Sequence, residues 1–448
     1  MNLHNRYTAH YWPNIKLATP VVLAQAGQML VNLADTLMVG QVGTAPLAAA
    51  SFANSIFINV LYFGVGISFA LTPLVGKAFG SGDKEKCAYW FRQGVFANAI
   101  IGVLLTLVAG AIYFLMPYMG QEENVATEAQ PYYILLILSI LPFQLFNAYK
   151  QFTEGLSNTK IAMVITIGGN VLNVILNYIL IYGHFGAPEL GLVGAGIGTL
   201  VSRVMMAVTF AYLTSKLSLY KTIRGLNHDA FSWVAFKKMW SLGLPIGLQF
   251  VIEVFAFSIG SIMMGWISAV SLAAHQIVLS LASITYMMSS GLASATTIKV
   301  SIFRGKKFFA EVKNTAFASL HIVVVFMTLT GILFLLLRFF LPSLFIDDVE
   351  VIKVAAGLMF IAGLFQIFDG IQVVTLGILR GMEDVVAPVI GAGIAYLLIS
   401  VPSSYVVTFL FNVGPLGIWV GYLVGLASAG VFLLWRFRVL YRRNYNVN

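Results

Sequence analysis

The chain has 448 residues, 59% of them hydrophobic and only 10% charged, where a soluble protein carries about a quarter charged residues, so a water-soluble globule is excluded. One cysteine, Cys87, and six scattered histidines exclude an intrachain disulfide, a thiolate cluster and a His-based metal motif. The formal charge of +9 could suggest nucleic acid, but its distribution along the chain, given below, assigns it to a membrane surface.

A bilayer crossing takes ~20 apolar residues, and apolar stretches bounded by Gly, Pro and charge predict twelve of them. In chain order they fall at 15–38, 46–71, 93–116, 131–152, 161–182, 192–214, 240–264, 270–297, 314–337, 354–378, 387–411 and 415–436. The first begins near Ile15 and has no small-residue cleavage site, so it reads as a retained span rather than a signal peptide. Of the 26 Lys and Arg, only Arg338 and Lys353 fall on one side of the predicted membrane, and Arg203 falls inside a span. All the others share the opposite side, Arg380 among them. The positive-inside rule makes that side cytoplasmic and places both termini there.

The chain also resembles itself. With residues 16–60 set over 241–285, Pro20 meets Pro245, Met38 meets Met263, Gly40 meets Gly265 and "LAA" (47–49) meets "LAA" (272–274). Gly66 then meets Gly291 and Pro117 meets Pro342, while "FQLFN" (143–147) resembles "FQIFD" (365–369) after a shift of about a helical turn. Six spans per repeat is an even number, so the halves share one orientation, as in transporters built from parallel repeats. The expected fold is an all-α membrane protein of two six-helix bundles, pseudo-two-fold about the membrane normal. The expected domains are an N-terminal lobe (1–215), a cytoplasmic linker (216–240) and a C-terminal lobe with a short basic tail (241–448).

Three acids fall well inside spans: Asp35, Glu253 and Asp369. Each costs roughly 3 kcal/mol at mid-bilayer on insertion scales, and such groups face a protein interior or a wet cavity. The one base read as intramembrane is Arg203, whose plausible mate is Asp35. Glu253 and Asp369 are thereby expected to have no protein cation and to take a proton, Na⁺ or a cationic ligand from solution. Oxygen donors suit a hard cation, and Tyr286, Gln249, Ser258 and Gln276 lie nearby in sequence. In the first lobe, Asp35 has Asn32 about a turn away, and Asn170, Asn173 and Asn177 share one helix face. With Thr199 they predict a polar site, although Asn and Thr also serve as hydrogen-bond glue between membrane helices. Gln28, which aligns with Glu253 in the repeat, is a secondary candidate.

The motifs "LATPVVLAQAGQMLVNLADTLMVGQVG", "GISFALTPLVGKAFGSGD", "GLPIGLQFVIEVFAFS" and "FDGIQVVTLGILRGMED" resemble the multidrug and toxic compound extrusion (MATE) family, specifically its NorM-like branch. The resemblance covers nearly the whole chain. It implies an efflux antiporter in a bacterial inner membrane, exchanging cationic or amphipathic drugs for Na⁺ or H⁺, with no other cofactor. It implies a cation site at Glu253 and Asp369, which would hold any Na⁺, with Tyr286 beside them, and proton coupling at Asp35. The expected partners are small organic cations and the lipid bilayer, not nucleic acid, and the expected state is a monomer. A lipid-linked saccharide flippase shares the frame, but its anionic cargo calls for several intramembrane bases, where one base is read against three acids. No HExxH, close His pair or GxSxG is present, so an enzyme is not expected.

Overall fold

The computed structural model describes residues 3–216 and 230–445. Among the described residues, twelve helices are long and apolar enough to cross a membrane. The first six are Tyr7–Val42, Thr44–Gly80, Lys84–Tyr118, Glu123–Gly155, Thr159–Tyr182 and Gly191–Lys216. The remaining six are Trp233–Ile267, Ala269–Gly305, Phe309–Leu336, Val349–Gly381, Val386–Leu410 and Pro415–Arg443. They match the predicted spans one for one, and the protein is a multi-pass membrane protein. Most run well past the predicted limits. A helix of about 35 residues rises ~50 Å, while the hydrocarbon layer is only ~30 Å thick. Hydropathy marks the oil; the helices continue into the interface. Bases expected in loops, such as Lys299 and Arg380, therefore sit on helices.

Side-chain caps start several of these helices. Asp83 accepts from Lys86 N at 2.8 Å, Ser268 from Ser271 N at 3.0 Å and Asp348 from Glu350 N at 2.8 Å, each satisfying an orphan amide of a first turn. Of the expected linker, residues 217–229 lie outside the described residues, and 233–240 are the opening turns of the seventh span. The basic tail is helical through Tyr445.

The chain packs as two units, one of Met1–Val22 with Leu248–Asn448, the other of Leu23–Gly247. These boundaries differ from the expected 215 and 241, for reasons visible within each unit. In the first, His10 pairs through Nε2 with Glu311 at 2.7 Å and through Nδ1 with Thr315 Oγ1 at 3.0 Å. Asn14 donates to Ser319 Oγ at 2.8 Å and accepts from Lys299 Nζ at 2.7 Å. The start of the first span is thus tied into the eighth and ninth spans. In the second unit, the opening of the seventh span lies against the second: a Cβ on Gly66 would stand 2.3 Å from Gly247 Cα.

A buried His–Trp pair anchors the core of the first unit. Trp419 Nε1 donates to His275 Nδ1 at 3.1 Å, and His275 Nε2 meets Ser261 Oγ at 3.1 Å. An indole N–H can only donate, so His275 carries its proton on Nε2 when neutral. The tenth span crosses the eighth at backbone contact, since a Cβ on Gly377 would lie 2.4 Å from Ala293 O. We expect Gly377→Ala to destabilise the protein by about 1–3 kcal/mol through overpacking, seen as a lower melting temperature in detergent. Gly168→Ala, where the added methyl meets nothing within 4 Å, should not lower it.

Candidate functional site

In the first unit, Glu253 and Asp369 come together with two glutamines, a tyrosine and an arginine. Glu253 and Gln249 are one turn apart on the seventh span, and Gln249 Nε2 donates to Glu253 Oε1 at 2.9 Å. Asp369 and Gln372 share a face of the tenth span, three residues apart, and Gln372 Nε2 donates to the same Glu253 oxygen at 3.1 Å. Each glutamine is held in register from behind. Arg380 Nη2 donates to Gln249 Oε1 at 3.3 Å, and Tyr396 Oη donates to Gln372 Oε1 at 2.8 Å. Arg380 has only donors, so Gln249 must turn its oxygen toward Arg380 and its NH₂ toward Glu253. Tyr396 is set by a π-helical stretch, Gly393–Ser400, whose wider turns shift the register of the eleventh span.

Asp369 stands apart from this lattice. It is buried, 8% exposed, and the charge that bears on it is that of Glu253. Among the described residues no donor reaches its carboxyl group. Tyr286 lies within electrostatic reach of Arg380 and Tyr396, which places it beside the same cluster. With both acids ionised and Arg380 positive, the cluster carries one surplus negative charge.

In the second unit Asp35 is half-buried, and Asn177 Nδ2 donates to its Oδ1 at 2.7 Å. With the Asn173 amide turned so that its nitrogen faces the carboxylate, it donates to Asp35 Oδ1 at 3.2 Å and accepts from Thr199 N at 3.2 Å. Room for Asn177 comes from Gly198, where a Cβ would stand 2.0 Å from Asn177 Oδ1.

The family model described as MatE matches residues 20–179 and 245–406. The chain belongs to the MatE family. The two matched segments begin 225 residues apart, the offset of the internal repeat. A "Probable multidrug resistance protein NorM" of Rhizobium meliloti (strain 1021) is 35% identical over 98% of this chain and 95% of its own. A protein of the same description from Agrobacterium fabrum is 34% identical over 97% and 95%, and the chain is a NorM-like MATE protein. Among solved structures, an outward-facing multidrug resistance MATE family transporter of the MOP superfamily superposes with a TM-score of 0.89. It has 20% identity and 96% of both chains covered.

This MATE chain corrects two expectations. Glu253 does not lack a protein cation, because Arg380 acts on it electrostatically and orients its donor Gln249. Arg380 had been placed at the cytoplasmic surface because hydropathy ends the tenth span at 378. The helix continues through Gly381, and a long side chain there reaches back to the seventh span. Nor does Arg203 pair with Asp35: it donates to Ser139 Oγ at 2.7 Å. Tyr286 and Gln249 join the Glu253 cluster, and Asn173, Asn177 and Thr199 join Asp35. Gln276 is exposed and joins neither group. Asn32 and Gln28 bond each other along an exposed face of the first span at 3.4 Å. Asn170 is buried, but its Nδ2 has no hydrogen bond among the described residues. Sequence reasoning missed Gln372 and Tyr396. A signal for Gln372 was its three-residue spacing from Asp369; Tyr396 is linked only through space.

The lattice behind Glu253 makes a prediction of its own. Tyr396→Phe leaves the buried Gln372 oxygen without its donor, which costs about 1–3 kcal/mol. The expected result is a lower melting temperature in detergent with the helix content retained by circular dichroism.

Proposed function

We propose that this protein is a secondary active multidrug antiporter of the inner membrane, with both termini cytoplasmic. It exports cationic or amphipathic organic compounds in exchange for Na⁺ or H⁺. Family membership supports the transport class, and the description of the relatives as multidrug resistance proteins supports the cargo. The observation that carries the coupling mechanism is Asp369, a buried carboxyl that no described residue solvates, beside a Glu253 that two amides already serve.

A bare ion in a low-dielectric interior is costly, and the protein's own cation, Arg380, offsets only one of two carboxylates. One further positive charge completes the cluster. A proton, a sodium ion or the ammonium of an organic cation each supplies it, and the binding of one leaves no charge for the next. Such competition is what couples opposed fluxes: a ligand shifts a conformational equilibrium only through its differential affinity for the two states. The carboxylate oxygens and the Tyr286 hydroxyl are hard donors of the kind sodium accepts. Asp35, served by Asn173 and Asn177, is the polar site of the other unit and a second place for a proton or a cationic substrate group.

The test is dye efflux in everted vesicles, driven separately by a sodium and a pH gradient. Coupling free energies run to about 1–3 kcal/mol, so Asp369→Asn and Glu253→Gln should each cut gradient-driven efflux about tenfold or more. Asp35→Asn should reduce it as well. Undiminished efflux in both Glu253→Gln and Asp369→Asn removes the pair from the coupling role. A sodium-coupled cycle further requires that Na⁺ raise the melting temperature of the parent by mass action and that Asp369→Asn abolish the rise.

A further inference from the structure

The end of the first unit that the proposed orientation turns to the cytoplasm carries positive charge that no acid in the fold offsets. Lys306 and Lys307 stand in the turn after the eighth span, Lys313 near the start of the ninth, and Arg438, Arg442 and Arg443 on the tail of the twelfth. All six are exposed, and among the described residues none forms an ion pair. The acids of this end are taken by other bases. Glu311 pairs with His10 at 2.7 Å, Glu383 with Arg304 at 3.3 Å and Asp384 with Arg436 at 2.7 Å. Packing draws the basic segments together. Tyr441 Oη donates to Phe309 O at 3.1 Å, tying the tail to the start of the ninth span, and Lys313 Nζ lies 5.9 Å from the centroid of the Tyr441 ring. The turn itself is closed by Phe308 N donating to Phe303 O at 2.9 Å, with Lys307 at a left-handed φ of 61°.

Topology alone does not require this arrangement. The positive-inside bias concerns the number of bases near the ends of spans. It neither gathers them on one surface nor keeps acids out, and gathered like charges repel. The internal repeat supplies a comparison. Gly305, before this turn, matches Gly80 at the end of the second span, and in the turn after Gly80 the bases Lys84 and Lys86 alternate with Asp83 and Glu85. Two apolar side chains accompany the bases of the first unit. Phe308 and Trp435 are each 57% exposed, and Trp435, Arg438 and Arg442 share a face of the twelfth-span helix. An aromatic ring followed by arginines along one face is the order in which a helix leaves oil for headgroups. Phosphate accepts charge-assisted hydrogen bonds from ammonium and guanidinium groups, and four to eight bases just beyond a membrane helix suit an anionic lipid surface.

We propose that Lys306, Lys307, Lys313, Arg438, Arg442 and Arg443 form a docking surface for the anionic phospholipid headgroups of the adjacent leaflet. Phe308 and Trp435 sit among the acyl chains of the bound lipid. A headgroup held there bridges the turn between the eighth and ninth spans and the tail of the twelfth, and so braces one end of the unit that carries Glu253 and Asp369. The surface is independent of which ion is coupled and of which compounds are moved.

Purified full-length protein in a neutral detergent is titrated with phosphatidylglycerol and, separately, with phosphatidylcholine of the same acyl chains. Native mass spectrometry follows lipid binding, and the melting temperature reports stabilisation by mass action. The parent should bind phosphatidylglycerol at least about tenfold more tightly than phosphatidylcholine. A base at an anionic surface contributes about fivefold in binding, the equivalent of about 1 kcal/mol. Lys306→Gln with Lys307→Gln, and Arg442→Gln with Arg443→Gln, should therefore each weaken phosphatidylglycerol binding about tenfold or more. Lys84→Gln with Lys86→Gln, in the other unit, should leave it within about twofold. Phe308→Ser keeps every charge and should still weaken the lipid, while inorganic phosphate should not displace it. Equal binding of the two lipids, unchanged affinity in both basic double variants, or an equal loss in the Lys84 and Lys86 variant would overturn the proposal. Displacement by inorganic phosphate would make this a small-anion site, and tighter binding of polyglutamate than of phosphatidylglycerol a surface for acidic proteins; either outcome overturns it too. Should one basic double variant lose its helix content by circular dichroism, the other and Phe308→Ser decide.

Discussion

Electroneutrality in a medium that cannot solvate ions is the constraint on which the rest of this structure depends. Each intramembrane carboxylate costs roughly 3 kcal/mol even on forgiving scales, and the chain meets that cost at two of its three acids. Glu253 is served by a lattice of oriented donors, Arg380 to Gln249 and Tyr396 to Gln372, with both amides directed at one oxygen. Asp35 is served by asparagine amides held on one helix face. Asp369 is served by no described residue, and the imbalance is thereby concentrated at one atom pair instead of being spread over the cluster.

How much of this is legible in the sequence follows from the range of the forces involved. Hydropathy is a local average, so twelve spans and the three acids inside them stand out directly. Helical period is also local, which is why Asn173 and Asn177 were placed on one face and the structure finds both at Asp35. Arg380 was misplaced for an equally physical reason. The apolar average falls off before the helix ends, and an arginine three turns beyond Asp369 sits at an interface from which its side chain turns inward. Gln372 and Tyr396 depend on contacts between different spans, and Tyr396 also on a π-helical register that no apolar periodicity of 3.6 signals. Asn32 and Gln28 bond each other along an exposed stretch of the first span, a contact that neither the repeat nor proximity to Asp35 in sequence signals.

The division of the chain makes the same point at larger scale. The repeat suggests a cut between halves, since sequence similarity reports descent. Packing reports contacts, and His10 and Asn14 make theirs with Glu311, Thr315, Ser319 and Lys299. The first 22 residues therefore belong with the C-terminal unit even though the repeat counts them, from residue 16, with the N-terminal one.

The repeat also explains why the two units carry different chemistry on one frame. Gln28 occupies the position of Glu253 but lies exposed, bonded to its own helix neighbour. Asn147 occupies that of Asp369, yet it donates to Phe143 O, one turn back on the same helix, at 3.0 Å. Asp35, conversely, falls where the other repeat has Gly260, and there a Cβ would stand 1.7 Å from the Tyr422 hydroxyl. A carboxylate at 260 has no room, because Tyr422 fills the space to reach Phe257 O at 3.2 Å. The first unit therefore has no room at 260 for the acid that the second carries at 35. The two sites are not copies with drifted sequences: one is a cluster short of a positive charge, the other a carboxylate served by asparagine amides.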